Sequence, residues 1–268
     1  MEQPRYFAPA ADGAARILAL LSRYTTRSMT LSELVAALDI SKATCLRIVK
    51  TLEMHGLVHF DAMTKRYSLG YYCVILGARA EETLDYLSYV RPLLREAADR
   101  TGLTAVFIQR AGTDRMTYVA KEEPSGSPAG RRSAGVHVSV GNRFPITDVS
   151  YGKWVIAYAD DAEGQRILAD GLRQVTDRTV VDRDEYLASV AAAYRDGVLL
   201  SESEYIQGVT AVSCPVVDVA SGLLGVITVL GLTDELQGDR LEEVRTVVLD
   251  IGAAAKFDGS VLQNRGTA

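Results

Sequence analysis

The side chains best placed to do chemistry in this 268-residue chain are cations gathered on one short segment. The run Ser41-Lys42-Ala43-Thr44-Cys45-Leu46-Arg47-Ile48-Val49-Lys50-Thr51-Leu52-Glu53 sets Cys45, Ile48, Val49 and Leu52 on one side of a helix. Ala43, Arg47, Lys50 and Met54 fall on the other side. That face starts small, which lets it approach base edges closely, and then presents cations. A guanidinium bonds guanine O6 and N7 together, Ser41 and Thr44 hydroxyls reach phosphate or base edges, and a helix N-terminus favours a phosphate. Further on, Lys65-Arg66 sits in a short hairpin, where cations grip a nucleic-acid backbone. Ser41, Lys42, Ala43, Thr44, Arg47, Lys50, Lys65 and Arg66 are therefore the candidate DNA contacts. For Arg47 or Lys50 alone, a solvated surface explains the residue equally well. The ordered set of cap, small start, basic face, Gly56 stop and basic hairpin is more specific.

Other chemistries find weaker support. Asp148-Val149-Ser150-Tyr151-Gly152 has the outline of a nucleophile elbow but lacks its first glycine, and no histidine has an evident pairing with it. Cys214 with His137 imitates a Cys–His pair, yet Cys214-Pro215 lies in an apolar strand pattern. The three cysteines (Cys45, Cys73, Cys214) and three histidines (His55, His59, His137) show no ligand spacing, so no metal is expected. There is no G-x-G-x-x-G or phosphate-loop sequence, and no cofactor is expected. Two alternatives to a DNA-binding regulator remain: a plain small-molecule sensor, and a hydrolase-like enzyme with Ser150 or Cys214 as nucleophile.

The elements that must position these residues can be read from caps and periodicity. A first helix is expected over residues 12–24, after a loose tail. Thr30-Leu31-Ser32-Glu33 fits a capping box that opens a short second helix, and Ser41 caps the third. Residues 57–60 and 65–69 form a hairpin, and residues 70–84 a connecting helix. Beyond it a helix is expected at 86–100, strands at 104–109, 115–121 and 136–140, and a helix beginning near Val149. A Pro/Gly/Ser loop at 122–130 interrupts these strands. A capped helix at 182–195, strands at 198–201, 209–217 and 223–230, and a closing amphipathic helix at 239–256 complete the chain. The fold class is α+β: an N-terminal winged helix-turn-helix (residues 10–70), a linker helix (71–84), and a C-terminal domain (85–260) with an antiparallel sheet flanked by helices.

Composition agrees with this division. Residues 1–70 hold nine Lys+Arg and six Asp+Glu, while the rest hold 20 and 28, so a basic module precedes an acidic one although the whole chain is at −5. No stretch reads as a signal peptide or membrane span, and the expected location is cytoplasmic.

The residues also carry a resemblance. Ala14-Ala15-Arg16-Ile17-Leu18-Ala19-Leu20-Leu21, the Leu31–Glu53 stretch and Arg66-Tyr67-Ser68-Leu69-Gly70 are similar to the opening helix, helix-turn-helix and wing of IclR-family regulators. Val140-Gly141-Asn142-Arg143-Phe144-Pro145, Gly152-Lys153, Arg195-Asp196-Gly197 and Glu204-Tyr205-Ile206-Gln207-Gly208-Val209 continue it. The resemblance implies a GAF-like effector-binding domain, a roughly palindromic operator, and a homodimer or homotetramer. It also implies an effector site at Ser150, Tyr151, Ser201, Glu202, Val209, Ala211, Ser213, Thr228 and Leu230. The family usually has a small residue where Tyr151 stands, and Asp148 adds negative charge nearby. An aromatic or neutral effector fits these residues better than a small dianion.

Overall fold

The computed structural model describes residues 7–23, 26–83, 85–125, 136, 138–220 and 222–257. Contacts divide the chain into two compact units, Met1–Leu84 and Asp85–Ala268.

The N-terminal unit opens with α1 (Pro9–Leu21), whose proline takes the first helical turn, where its missing N–H costs nothing. The helix thus starts earlier than its apolar periodicity suggests, and residues 9 and 10 belong to it. β1 (Ser28–Thr30) follows, then α2 (Leu31–Leu38) and α3 (Lys42–Met54). The capping box forms: Thr30 Oγ1 accepts from the Glu33 amide at 3.3 Å, and Glu33 Oε2 accepts from the Thr30 amide at 2.7 Å. Gly56, at φ +68°, supplies the left-handed turn that ends α3. β2 (Val58–Asp61) and β3 (Arg66–Leu69) pair antiparallel, with β1 on the far side of β3. That third strand, only three residues long, was not expected from sequence. Ile17, Leu34, Cys45 and Val49 lie fully buried at the centre of the unit. α4 (Tyr72–Thr83) is its last helix.

In the C-terminal unit, α5 (Asp85–Thr101) precedes a seven-stranded sheet. Its strands are β4 (Thr104–Ala111), β5 (Arg115–Glu122), β6 (Arg143–Pro145), β7 (Leu199–Glu202), β8 (Val209–Asp218), β9 (Gly222–Leu232) and β10 (Lys256–Phe257). The order is β10-β8-β9-β4-β5-β6, with β7 also on β8. All pairs are antiparallel except β10–β8. No strand occupies the described part of 136–140. There the Gly141 amide bonds Tyr118 O and the Asn142 amide bonds Ser139 O, so a turn forms and strand pairing resumes at Arg143. The 122–130 loop lies mostly outside the described residues.

Alternation on β4 divides the core. Val106 and Ile108 face a cluster around Trp154, while Phe107 faces α5, its ring 6.1 Å from that of Tyr86. The helix expected near Val149 begins as a 3-10 turn (Ser150–Gly152) and continues as α6 (Lys153–Tyr158). α7 (Asp161–Ile167), α8 (Arg183–Asp196) and α9 (Gly238–Ala254) complete the unit. No helix among the described residues is long and apolar enough to cross a membrane.

Candidate functional sites

Two places gather the sequence-derived candidates, one in each unit. On α3, Ser41 is consumed as the cap: its Oγ accepts from the Thr44 amide at 3.1 Å and donates to Thr44 Oγ1 at 2.9 Å. The outer face exposes Lys42, Ala43, Arg47 and Lys50. It also exposes Leu46, at 41%, an apolar contributor that the inward/outward reading passed over. A spacing of three from Ala43 was the available signal. Among the described residues the Arg47 guanidinium has neither a hydrogen bond nor an ion pair. Lys50 differs: its Nζ bonds Glu53 at 2.7 Å and lies 5.0 Å from the Phe60 ring centre, and the Glu53 bond raises its pKa.

The two hairpin cations also part ways. Lys65 is exposed and sits at φ +57° in the turn. Arg66 turns back into its own unit, with Nε on Ser28 Oγ at 3.0 Å and Nη2 on Ser28 O at 2.8 Å and Glu33 Oε2 at 3.0 Å.

In the C-terminal unit a small slot with a cavity volume of about 20 Å³ is lined by Tyr118, Val136, Ser150, Tyr151, Ser201, Tyr205, Ile206, Val209, Ala211 and Leu230. The structure brings six predicted residues together there: Ser150, Tyr151, Ser201, Val209, Ala211 and Leu230. Three lie elsewhere. Glu202 is exposed, since alternation along β7 turns it away from Ser201. Ser213 follows Ala211 on the same face of β8 but is covered by Trp154, whose Nε1 donates to Ser213 Oγ at 2.9 Å. Thr228, opposite Ser213 in register, is fully buried, and its hydroxyl has no partner among the described residues. Tyr118, Tyr205, Ile206 and Val136 are lining residues that the sequence reading missed. For Tyr118 the signal was the buried alternation Met116/Tyr118/Ala120 on β5.

Local packing fixes the slot walls. Gly152 is required because a Cβ there would stand 1.8 Å from Ile146 O. The buried Asp148 carboxylate pairs with Arg173. Lys153, 2% exposed, pairs with Glu204 at 3.0 Å and lies 5.3 Å from the Tyr186 ring centre. Thr176 Oγ1 donates to Ser203 O at 2.6 Å, and Thr179 Oγ1 to Glu204 O at 2.7 Å. These bonds anchor residues 203 and 204, the start of the loop that carries Tyr205 and Ile206 over the slot.

Among the described residues, the polar side chains that line the slot are neutral. Burial pushes the Tyr118 phenol up to about 12 and Tyr151 well above its ordinary value, and their hydroxyls meet at 2.8 Å. As for a nucleophile, the Cys214 thiol is fully buried and pushed up to about 12 by that burial. The Ser150 hydroxyl has no hydrogen-bonded base among the described residues, and His137 lies outside them. No group of three or more His, Cys, Asp or Glu side chains among the described residues is arranged to hold a metal.

Comparison with known proteins bears on both sites. The pattern described as "IclR helix-turn-helix domain" matches residues 10–62, and that of "Bacterial transcriptional regulator IclR C-terminal" matches residues 79–256. The chain is 25% identical to the HTH-type transcriptional regulator XynR of Escherichia coli, over 91% of this chain and 94% of that protein. It is 26% identical to the HTH-type transcriptional regulator BhcR of Paracoccus denitrificans, over 92% and 86%. The crystal structure of an IclR transcriptional regulator from Alicyclobacillus acidocaldarius superposes with a TM-score of 0.85 at 34% identity, covering 93% of this chain and all of that one.

Proposed function

The chain belongs to the IclR family of bacterial transcriptional regulators, and from that premise we propose that Arg47, with Ala43 and Leu46 beside it, reads the operator while the slot beneath Tyr205 holds the effector. A DNA-binding regulator with an effector-binding C-terminal domain needs one surface for bases and one enclosed site for a metabolite. The observation that carries the assignment is the outer face of α3, where a capped helix start is followed by an exposed guanidinium with no partner among the described residues. Arg47 bonds a guanine edge, Ala43 and Leu46 meet thymine methyl groups, and Lys42 and Lys65 hold phosphates. Lys50 and Arg66 have partners of their own and act first as braces for the hairpin.

In functional terms, residues 10–70 read DNA, 71–84 link, and 85–260 sense. The regulator works in the cytoplasm as a homodimer or homotetramer on a roughly palindromic operator, because a two-fold assembly presents two α3 helices. The effector is aromatic or uncharged. It acts by binding one of two states of the regulator more tightly than the other.

Selection of bound fragments from the source genome, followed by footprinting, tests the reading. A two-fold-related protected site whose protection changes with Arg47→Ala is the expected result. Failure to retain any duplex, or unchanged binding by Arg47→Ala on operator and random DNA alike, would overturn it.

A further inference from the structure

The sheet of the C-terminal unit parts at one end, and a second cavity lies in the gap. β4 and β9 pair only from Thr104/Leu230 to Ile108/Val226, while β9 runs on beside β8 as far as Gly222. The β8–β9 register shifts at Val216/Val217 and leaves Leu224 as an extra residue on β9, a bulge of the kind that bends strands beside binding sites. Gln109 stands in for the lost backbone pairing: its Nε2 donates to Leu224 O at 2.9 Å and its Oε1 accepts from the Tyr86 hydroxyl at 2.7 Å. Between this split end and the end of α6 lies a cavity of about 250 Å³. It shares no lining residue with the slot beneath Tyr205. An apolar cavity of about 150 Å³ is enough to hold benzene, so this one takes a ring with a substituent.

The walls of this cavity differ in polarity. Met116, Val155 and Leu223 belong to the apolar core around Trp154 or pack against it, and they give a ring a hydrophobic floor. Arg110, which alternation on β4 places on the same face as Val106 and Ile108, forms the polar wall with Glu163 of α7. The two side chains are 29% and 33% exposed, and they pair, with Arg110 Nη1 donating to Glu163 Oε1 at 2.6 Å. The turn after β4 fixes the guanidinium: Nε donates to Gly112 O at 3.1 Å and Nη2 to Thr113 O at 3.0 Å. Three of its five N–H groups are thus engaged, and the other two have no acceptor among the described residues. On the carboxylate, Oε1 also accepts from Arg166 Nη2 at 3.2 Å, whereas no hydrogen bond reaches Oε2 among the described residues. The wall therefore offers donors and an acceptor side by side. A ligand carboxylate would gain the guanidinium but meet the Glu163 carboxylate, and an ammonium would gain Glu163 but meet Arg110. A carboxamide matches both, its oxygen accepting from Arg110 and its N–H donating to Glu163 Oε2.

We propose that this cavity is a second small-molecule site of the C-terminal unit, for a ring-sized ligand that carries a carboxamide or urea group. Arg110 and Glu163 together select that group, and the bulge at Leu224 holds the strands apart around it. The site stands whether or not the slot beneath Tyr205 holds the effector.

Benzamide, benzoate and benzylamine share one ring and carry a neutral, an anionic and a cationic head at about pH 7. Calorimetry of the full-length protein with each probe at millimolar concentration is the test. Benzamide should bind at least about tenfold more tightly than either charged probe. Glu163→Gln keeps the shape of the side chain, removes the opposing charge and lies on α7, which buries no residue. Benzoate should bind that variant about tenfold more tightly than it binds the wild type. Leu223→Phe narrows the cavity and should weaken benzamide severalfold. Benzoate or benzylamine binding the wild type as tightly as benzamide overturns the proposal. So do a benzoate affinity that Glu163→Gln leaves unchanged, benzamide binding that Leu223→Phe leaves unchanged in a folded protein, and no detectable binding of any probe by the folded wild type. If Leu223→Phe does not fold, the comparison of wild type with Glu163→Gln decides alone.

Discussion

The outer face of α3 and the slot of the C-terminal unit, the two proposed recognition surfaces, differ in their electrostatics. On α3 and the hairpin the proposed contacts are cations in water: Arg47 is exposed with no partner among the described residues, and Lys42 and Lys65 are exposed. In the slot the described polar side chains are neutral hydroxyls, and Tyr118, Tyr151, Ser150 and Ser201 are 3–5% exposed. The difference follows from solvent. A charge at the surface is screened by salt, so recognition there accumulates several contacts and falls as salt rises. Inside the slot a single buried hydroxyl without a partner matters, because water does not reach it freely.

The comparison can be broken most severely at Trp154. Trp154→Ala removes a fully buried ring from the slot side of the sheet and takes away the donor to Ser213 Oγ. It should cost about 3–5 kcal/mol. Chemical denaturation followed by circular dichroism would measure the loss, and the N-terminal unit should keep its helical signal in the range where the C-terminal unit has unfolded. Simultaneous loss of both would mean that the two surfaces do not rest on separate cores.

Arg47→Ala comes next, at about 1–3 kcal/mol on the operator, with relaxed preference at one base position. Leu46→Ser should relax preference at a neighbouring thymine. Replacing that thymine by uracil should weaken the wild type and leave Leu46→Ser unaffected. Titration of binding on a panel of single-base variants would locate both effects. A uniform loss across all sequences would assign Arg47 to phosphate.

Alkali sharpens the contrast between the units. Tyr118, Tyr151 and Tyr186 all have folded-state values raised by burial above the ordinary 10. Below pH 10 both folded and unfolded chains keep these protons, and stability does not change. Above it the unfolded chain releases them first, so stability falls as pH climbs towards 12, by up to about 1.4 kcal/mol per pH unit for each tyrosine. Trp154 is the chain's single tryptophan, so its fluorescence follows this unit alone. A flat profile from pH 10 to 12 would contradict the burial of the phenol pair.

The smallest effect separates the two wing cations. Lys65→Ala should reduce the slope of log affinity against log salt by about one, because it removes a phosphate contact. Arg66→Ala should leave that slope nearly unchanged and lower the melting temperature, because its donors are engaged by Ser28 and Glu33. Equal slopes for both variants would put Arg66 on the DNA.

Legibility in the sequence followed the range of the interactions. The Thr30/Glu33 capping box, the Ser41 cap and the Gly56 stop are local, and each was readable within four residues. β1 and β10 were not, because two- and three-residue strands have no periodicity and exist only through partners far along the chain, β3 for one and β8 for the other. The strand expected at 136–140 failed for a related reason: its apolar alternation is interrupted by a turn at Gly141 that tertiary bonds to Tyr118 stabilise. In the slot, residues on β8 and the 150–152 turn could be named in advance, partly through family resemblance. For Tyr118 the Met116/Tyr118/Ala120 alternation gave its inward face, but nothing in the sequence around β5 reveals that its hydroxyl meets that of a residue 33 positions away.

Glu33 serves two masters at once: one carboxylate oxygen closes the capping box with Thr30 and also receives Arg66 from β3. The start of α2, the strand β1 and the wing are thereby locked to a common point before any DNA arrives. A hairpin that had to find its orientation on the duplex would surrender conformational entropy at that moment, and its phosphate contacts would be partly spent on ordering. Here the ordering is completed during folding. Glu33→Gln, far from any base, should consequently weaken operator binding through a less favourable entropy, with the enthalpy of the contacts themselves little changed.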